Sequence, residues 1–267
     1  MALPALLSTV VSNPWLAWGA MPVLTFVLSF VLTCGAAELA IRHPAAAPYL
    51  IRYPGSEKRP ERLAATRANV DLGAQLRSAL ALLLGPGALL NGVGSALLLQ
   101  SIVAAPTALL PGARACAAHL LAMAVVGDFV LYWGHRVQHE VPFLWERFHS
   151  LHHELDTPTP LGTLYIHPVD ATLQGGLSLV LAAAAVQPHP ATFWAFVALR
   201  VAENVLNHSG LRGVAIDAVT LKCLPLRAKV SHHDAHHRYG AQNARAAKNY
   251  GETFWVWDWA FGTLAKH

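Results

Sequence analysis

Fifteen histidines occur in 267 residues, and twelve of them fall between His135 and His237. Their spacing is that of metal ligands. His135 and His139 are four apart, so on a helix their rings share one face and reach one ion. His149, His152 and His153 gather three rings on one helical side at spacings of three and four. His233, His236 and His237 repeat that pattern, with His232 directly before them. His208 stands in Asn207-His208-Ser209-Gly210, one helical turn after Asn204. Any one box also describes a solvated helix end; two three-histidine boxes and a pair in one chain do not.

The boxes supply two, three and three imidazoles, and His208 makes nine. One transition ion takes roughly four to six donors, so nine suits two ions. His167, His232 and Asn204 are further candidates, as an added donor or as partners that hold a donor in place. Asp128, seven residues before His135 on the same helical stripe, is expected to accept a ligand's other ring N–H and fix its tautomer. His43, His119, His189 and His267 lack helical partners and read as structural or solvated. A carboxylate centre of the ferritin type needs two Glu-x-x-His pairs and two more glutamates. This chain has one such pair, Glu146 to His149, so that centre does not fit. Imidazole-dominated donation suits Fe, Zn, Cu or Ni. Chemistry on O2 requires a redox-active ion, which selects iron over zinc.

The elements that position these boxes are apolar. The chain is 54% hydrophobic and 13% charged, with a mean hydropathy of +0.39; about 25% charge is usual in a soluble domain. That argues against a soluble enzyme. A net charge of +4, without an aromatic-rich basic face, argues against a nucleic-acid partner. Three distant cysteines make no disulfide framework. No cation precedes Arg42, so a cleaved secretory leader is not expected. Spans are expected at 21–41, 78–103 (with a kink at Gly85-Pro86-Gly87) and 115–133, since about 20 apolar residues cross a bilayer. A membrane hairpin is expected over 173–206, split at Gln187-Pro188-His189-Pro190, its first limb short for a full span. The loop 42–77 carries Arg52, Lys58, Arg59, Arg62 and Arg67, which places it on the cytoplasmic side. Parity then puts the histidine stretches 135–167 and 208–237 in that same compartment. No domain boundary is evident, so residues 1–267 read as one all-α domain: an integral membrane helical bundle with a cytosolic helical His-rich cap.

The motifs 127–139 (GDFVLYWGHRVQH), 148–153 (FHSLHH) and 232–237 (HHDAHH) resemble those of the fatty acid hydroxylase superfamily, also called the sterol desaturase family. Asn249-Tyr250-Gly251, Trp257-Asp258 and Phe261-Gly262-Thr263 look like its closing signature. The match covers roughly the second half of the chain. His167-Pro168-Val169-Asp170 and His208-Ser209-Gly210 look most like the sterol methyl-oxidase and sterol hydroxylase branch.

The resemblance implies a membrane-bound non-haem di-iron oxygenase that hydroxylates, or sometimes desaturates, a C–H bond of a lipid or sterol. It implies the metal ligands His135, His139, His149, His152, His153, His208, His233, His236 and His237. Some members carry HxxxH where this chain has Asn204 and His208, which leaves a tenth donor open among water, His167, His232 and Asn204. The chain completes no GxGxxG fingerprint at Gly85 or Gly92 and has no CxxCH. Electrons are therefore expected from a separate protein of cytochrome b5 or ferredoxin type with a reductase. The expected location is the endoplasmic reticulum in a eukaryote, or the inner membrane in a bacterium. Two rivals stand beside this reading: a desaturase on the same site, and a His-rich metal transporter or scaffold. Transporters place ligands near the bilayer midplane, whereas these boxes flank the spans. No GxSxG elbow supports a serine hydrolase. The aromatics Trp255, Trp257, Trp259 and Phe261 are expected to pack in the cap, with Asp258 holding a neighbouring ligand or cap residue. Tyr132 and Trp133 are expected to be interface anchors.

Overall fold

The computed structural model describes residues 3–51, 70–104, 110–242 and 244–265. Among the described residues there is no strand; two isolated bridges join Leu50 to Leu211 and Arg227 to Phe254. The architecture is an all-α membrane bundle with a histidine-lined cap.

Helix α1 (Leu3–Ser12) leads through a π-helical turn, Leu16–Ala20, into α2 (Met21–Arg42), which contains the first expected span. Most of the basic loop, 52–69, lies outside the described residues. Helix α3 (Leu72–Leu84) opens on an Asp71 cap, whose carboxylate accepts the Ala74 N–H at 2.8 Å. The stretch expected as one kinked span, 78–103, is instead two helices that meet at Gly85. The Gly85 N–H closes α3 on Ala81, and Pro86, which has no N–H to give, starts α4 (Pro86–Ile102).

Helix α5 (Ala113–Glu140) extends the expected 115–133 span by about two turns, and that extension carries His135 and His139. The limb judged short runs from Pro168 to Val186. It gains a turn at Pro168–Ala171 and a π-helical turn at Thr172–Gly176 before α6 (Leu177–Val186). Gln187 in the left-handed region, φ 54°, ends α6, and His189 Nδ1 accepts the Ala191 N–H at 3.1 Å to cap α7 (Pro190–Asn207).

Among the described residues, four helical stretches are long and apolar enough to cross a membrane: Leu16–Arg42, Leu72–Leu89, Ala113–Glu140 and Pro168–Val186. Helix α7, the longer-looking limb of the hairpin in sequence, is not among them. Its Arg200 and Glu203 instead bond the cap, Arg200 to Glu252 at 2.6 Å and Glu203 to Arg227 at 2.7 Å.

Helix α5 packs along α6, and α2 along α7, around Trp18, Phe30, Met123, Phe193, Phe196 and Val201. Leu32, Leu39 and Leu84 are 70–76% exposed on the outside. A leucine surface of that kind belongs in hydrocarbon, where its exposure costs nothing.

The cap comprises the segment 142–167, α8 (Val214–Val219), α9 (Val230–Gln242) and the tail with α10 (Val256–Ala260). The tail is fastened to α5 by buried Asp128, whose two oxygens accept the N–H groups of Glu252, Thr253 and Phe254 at 3.2, 2.8 and 2.9 Å. Trp257 meets Phe129 edge-on at 5.0 Å, and Phe261 stacks on Tyr132 at 5.4 Å. These tail aromatics therefore pack in the cap, while Trp259 stays exposed. Tyr132 is not an interface anchor: it is fully buried, with its hydroxyl 2.9 Å from Thr263 Oγ1.

An unmet buried N–H costs about 1–3 kcal/mol. Asp128→Ala leaves three of them and is expected to destabilise the protein by about 3 kcal/mol or more, read as a lowered unfolding midpoint in detergent. Asp128→Ala melting like the parent would show that the tail is held elsewhere.

Candidate metal centre

The nine histidines of the boxes and His208 converge, and none is more than 5% exposed. They form two groups whose donor atoms lie within 4.8 Å of one another. His135, His139, His149, His153 and His236 make one; His152, His208, His233 and His237 make the other. The boxes do not each serve one group. On α9, His233 and His237 are one turn apart and share the four-membered group, while His236 faces the other. The second box is split by backbone shape. A π-helical turn at Trp145–His149 and a 3-10 turn at His152–Glu154 replace the regular helix, sending His149 and His153 one way and His152 the other. Gly240 allows α9 to lie against the cluster: a Cβ there would sit 2.6 Å from the His153 ring.

The partners of the rings fix their tautomers. A carbonyl can only accept, so each Nδ1 beside one carries the proton. His135 donates to Tyr250 O at 3.0 Å, His139 to Ala244 O at 3.2 Å and His152 to Tyr165 O at 3.1 Å. His208 donates to Asn204 O at 2.8 Å, His236 to Lys248 O at 2.7 Å and His237 to Leu155 O at 3.0 Å. His149 Nδ1 lies 2.7 Å from the Asp170 carboxylate, which Gln174 steadies at 2.6 Å.

These seven rings therefore present bare Nε2 lone pairs, while the Nδ1 atoms of His153 and His233 have no hydrogen-bond partner and leave those two tautomers unfixed. His139 and His149 approach to 2.9 Å, His149 and His153 to 3.2 Å, and His153 and His236 to 3.2 Å. In the other group, His152–His208, His208–His233 and His233–His237 stand at 3.2, 3.1 and 3.2 Å. His135 Nε2 is buried with no hydrogen-bond partner. Lone pairs this close repel unless a cation lies between them. Donors about 2.1 Å from a shared ion stand roughly 2.9–3.4 Å apart, so the residues fit a pair of metal ions.

Burial pushes His149, His152, His153, His208, His233, His236 and His237 below the usual imidazole range, His152 to about 4. In all but His208 a neighbouring imidazole is the next cause. The rings are thus neutral at pH 7, the form that binds metal.

The other candidates fall outside both groups. Asp128 bonds backbone, not a ring, because the tail reaches it first. His232 lies 3.0 Å from Asp258 Oδ2, and that carboxylate also accepts the Tyr250 and Gly251 N–H groups. His167 Nδ1 accepts the Val169 N–H, capping the turn at Pro168. Asn204 Nδ2 donates to Glu252 at 3.1 Å. Sequence reasoning missed the role of Asp170; its one signal was an acidic residue at the head of an apolar helix.

The fold and site define an integral membrane helical protein with a buried polyhistidine centre. The fatty acid hydroxylase profile matches residues 120–263, more than half of the chain, and the chain belongs to that family. It is 36% identical over 154 residues to methylsterol monooxygenase 2-2 of Arabidopsis thaliana, covering 58% of this chain and 55% of that protein. It is 38% identical over 139 residues to the very-long-chain aldehyde decarbonylase GL1-8 of Oryza sativa subsp. indica, covering 52% of this chain and 49% of that protein. The chain spans about half the length of the curated relatives it matches. No solved structure matches.

Loss of a carboxylate partner behind a ligand histidine costs about 10–100-fold in metal affinity. Asp170→Asn is expected to fall in that range in a chelator competition; unchanged retention would remove Asp170 from the site. The metal-free protein should also lose stability on acidification. An unfolded imidazole titrates near 6.5 and folded His152 near 4, so between those values the unfolded chain binds more protons. The unfolding midpoint of the metal-free protein should fall as the pH drops from about 6.5 toward 4. A midpoint independent of pH across that window would contradict the burial of the cluster.

Proposed function

We propose that this protein is a membrane-bound non-haem di-iron monooxygenase that hydroxylates a C–H bond of a lipid or sterol. The single observation that carries the reading is the facing of unprotonated Nε2 atoms across two buried groups in a family named for fatty acid hydroxylation. The ligands are His135, His139, His149, His153 and His236 for one iron, and His152, His208, His233 and His237 for the other. Asp170, and the carbonyls of Leu155, Tyr165, Asn204, Ala244, Lys248 and Tyr250, hold the rings with Nε2 inward. Fixed tautomers and complete burial suit a resident cofactor better than a transported cargo.

When bound, the iron pair supplies the redox chemistry that lets O2 and two electrons convert R–H and two protons into R–OH and water. The chain's own part is to orient the ligands, exclude water and seat the substrate. A chamber reaches His152 and His208 and is lined by Phe30, Leu131, Leu164 and Val201 among others. The largely apolar lining suits a lipid. The electrons come from a separate cytochrome b5 or ferredoxin type protein with its reductase. The cap is cytosolic, on the side of the basic loop 42–77, at the endoplasmic reticulum in a eukaryote or the inner membrane in a bacterium.

Detergent-purified protein is expected to hold about two irons per chain, the number that five and four imidazoles serve. Supplied with O2 and reductant, it should yield an oxygenated lipid. His152→Ala should abolish turnover without altering membrane insertion. Zinc alone with no product, or full turnover by His152→Ala, would overturn the assignment.

A further inference from the structure

A second cavity lies among α2, α3, α4, α6 and α7, with Leu164 of the cap segment in its lining. It and the histidine-side chamber share Phe26, Leu164, Ala171, Gly175 and Leu179, so the two abut. Gly175 sits in the π-helical turn Thr172–Gly176, a feature that recurs at functional sites. A Cβ at Gly175 would meet nothing within 4 Å, so the space where a side chain would stand is open. Of the nine histidines, only His152 and His208 line either cavity, and both belong to the four-histidine group.

The polar end of the inner chamber has its own chemistry. Its Arg200 and Glu252 are already joined at 2.6 Å, and Arg200 also reaches Glu203 at 3.5 Å. A carboxylate-headed lipid would meet a cation that two carboxylates already hold. Two other lining groups, Thr163 Oγ1 and Asn204 Oδ1, are buried with no hydrogen-bond partner. The orientation of the Asn204 amide is set, because its Nδ2 must face the Glu252 carboxylate. A buried acceptor and a buried hydroxyl suit an uncharged O–H group.

We propose that the two cavities form one lipid passage with its waist at Gly175, and that it delivers a neutral, hydroxyl-bearing lipid to the four-histidine side of the centre. The passage rests on the oxygenase reading only for the reaction at its end. The waist selects by width and the inner chamber by charge. The five-histidine group stays sealed from the lipid.

The test uses the full chain in detergent with a diazirine-bearing long-chain fatty alcohol and the fatty acid of equal length, labelled sites being read by peptide mass spectrometry. In the parent, the alcohol should label both chambers and the acid only the outer one. Gly175→Leu and Ala171→Leu should each confine the alcohol to the outer chamber while metal content stays at the parent level. Gly175→Ala should label as the parent does. If Gly175→Leu loses its metal, Ala171→Leu decides. Inner-chamber labelling undiminished in the leucine variants would overturn the passage, and equal inner labelling by the acid would overturn the charge selection. A parent that labels in both chambers yet makes no oxygenated product rejects the oxygenase and keeps the passage. Product formed equally by the leucine variants does the reverse.

Discussion

The structure turns on the crowding of buried imidazole nitrogens into two groups, each able to hold a metal ion. Seven of the nine rings are tied through Nδ1 to a carbonyl or to Asp170, which forces the proton to that side and leaves Nε2 bare. Two pairs of those bare Nε2 atoms, His139–His149 and His152–His208, then face each other at 2.9 and 3.2 Å, and His153 and His233 make four further contacts at 3.1–3.2 Å. The rings cannot relieve the strain by taking protons, because burial opposes charge on them. Much of the cap serves to hold those rings in place.

That burden explains why carbonyls, more than side chains, stand behind the ligands. Tyr250 and Lys248 come from the tail, Leu155 and Tyr165 from the segment after the second box, and Ala244 from the 3-10 turn Ala244–Ala246 that follows α9. Each is positioned only when its segment is folded down. Asp128 and Asp258 do that folding: both spend their oxygens on consecutive backbone N–H groups of the tail. The two carboxylates thereby help to place the Tyr250 carbonyl that holds the His135 ring.

The membrane part is asymmetric in the same economical way. Helix α7 gives up a purely apolar character, so that Arg200 and Glu203 can brace Glu252, Arg227 and Lys222 at the cap. The helix Pro168–Val186 is long and apolar enough to cross a membrane, and it departs from regular geometry at Thr172–Gly176. The same rod carries Asp170, which holds the His149 ring, and Gly175, which lines both cavities.

Helix content, the apolar spans and the nine convergent histidines were legible in the sequence, because hydrophobic runs and spacings of three and four are local properties of a helix. So was family membership, since the boxes and the closing signature are contiguous strings. Partition of the rings into five and four was not. It depends on π and 3-10 turns at Trp145–His149 and His152–Glu154, which no residue spacing announces, and on how α9 lies across α5. Asp128 shared a helical stripe with His135 yet binds the tail, and Tyr132 looked interfacial yet is buried, because segments more than a hundred residues away arrive there first. The chain's own pattern settles which groups carry the chemistry. Only packing in three dimensions settles which groups face one another, since burial and tautomer are fixed by neighbours that sequence distance does not reveal.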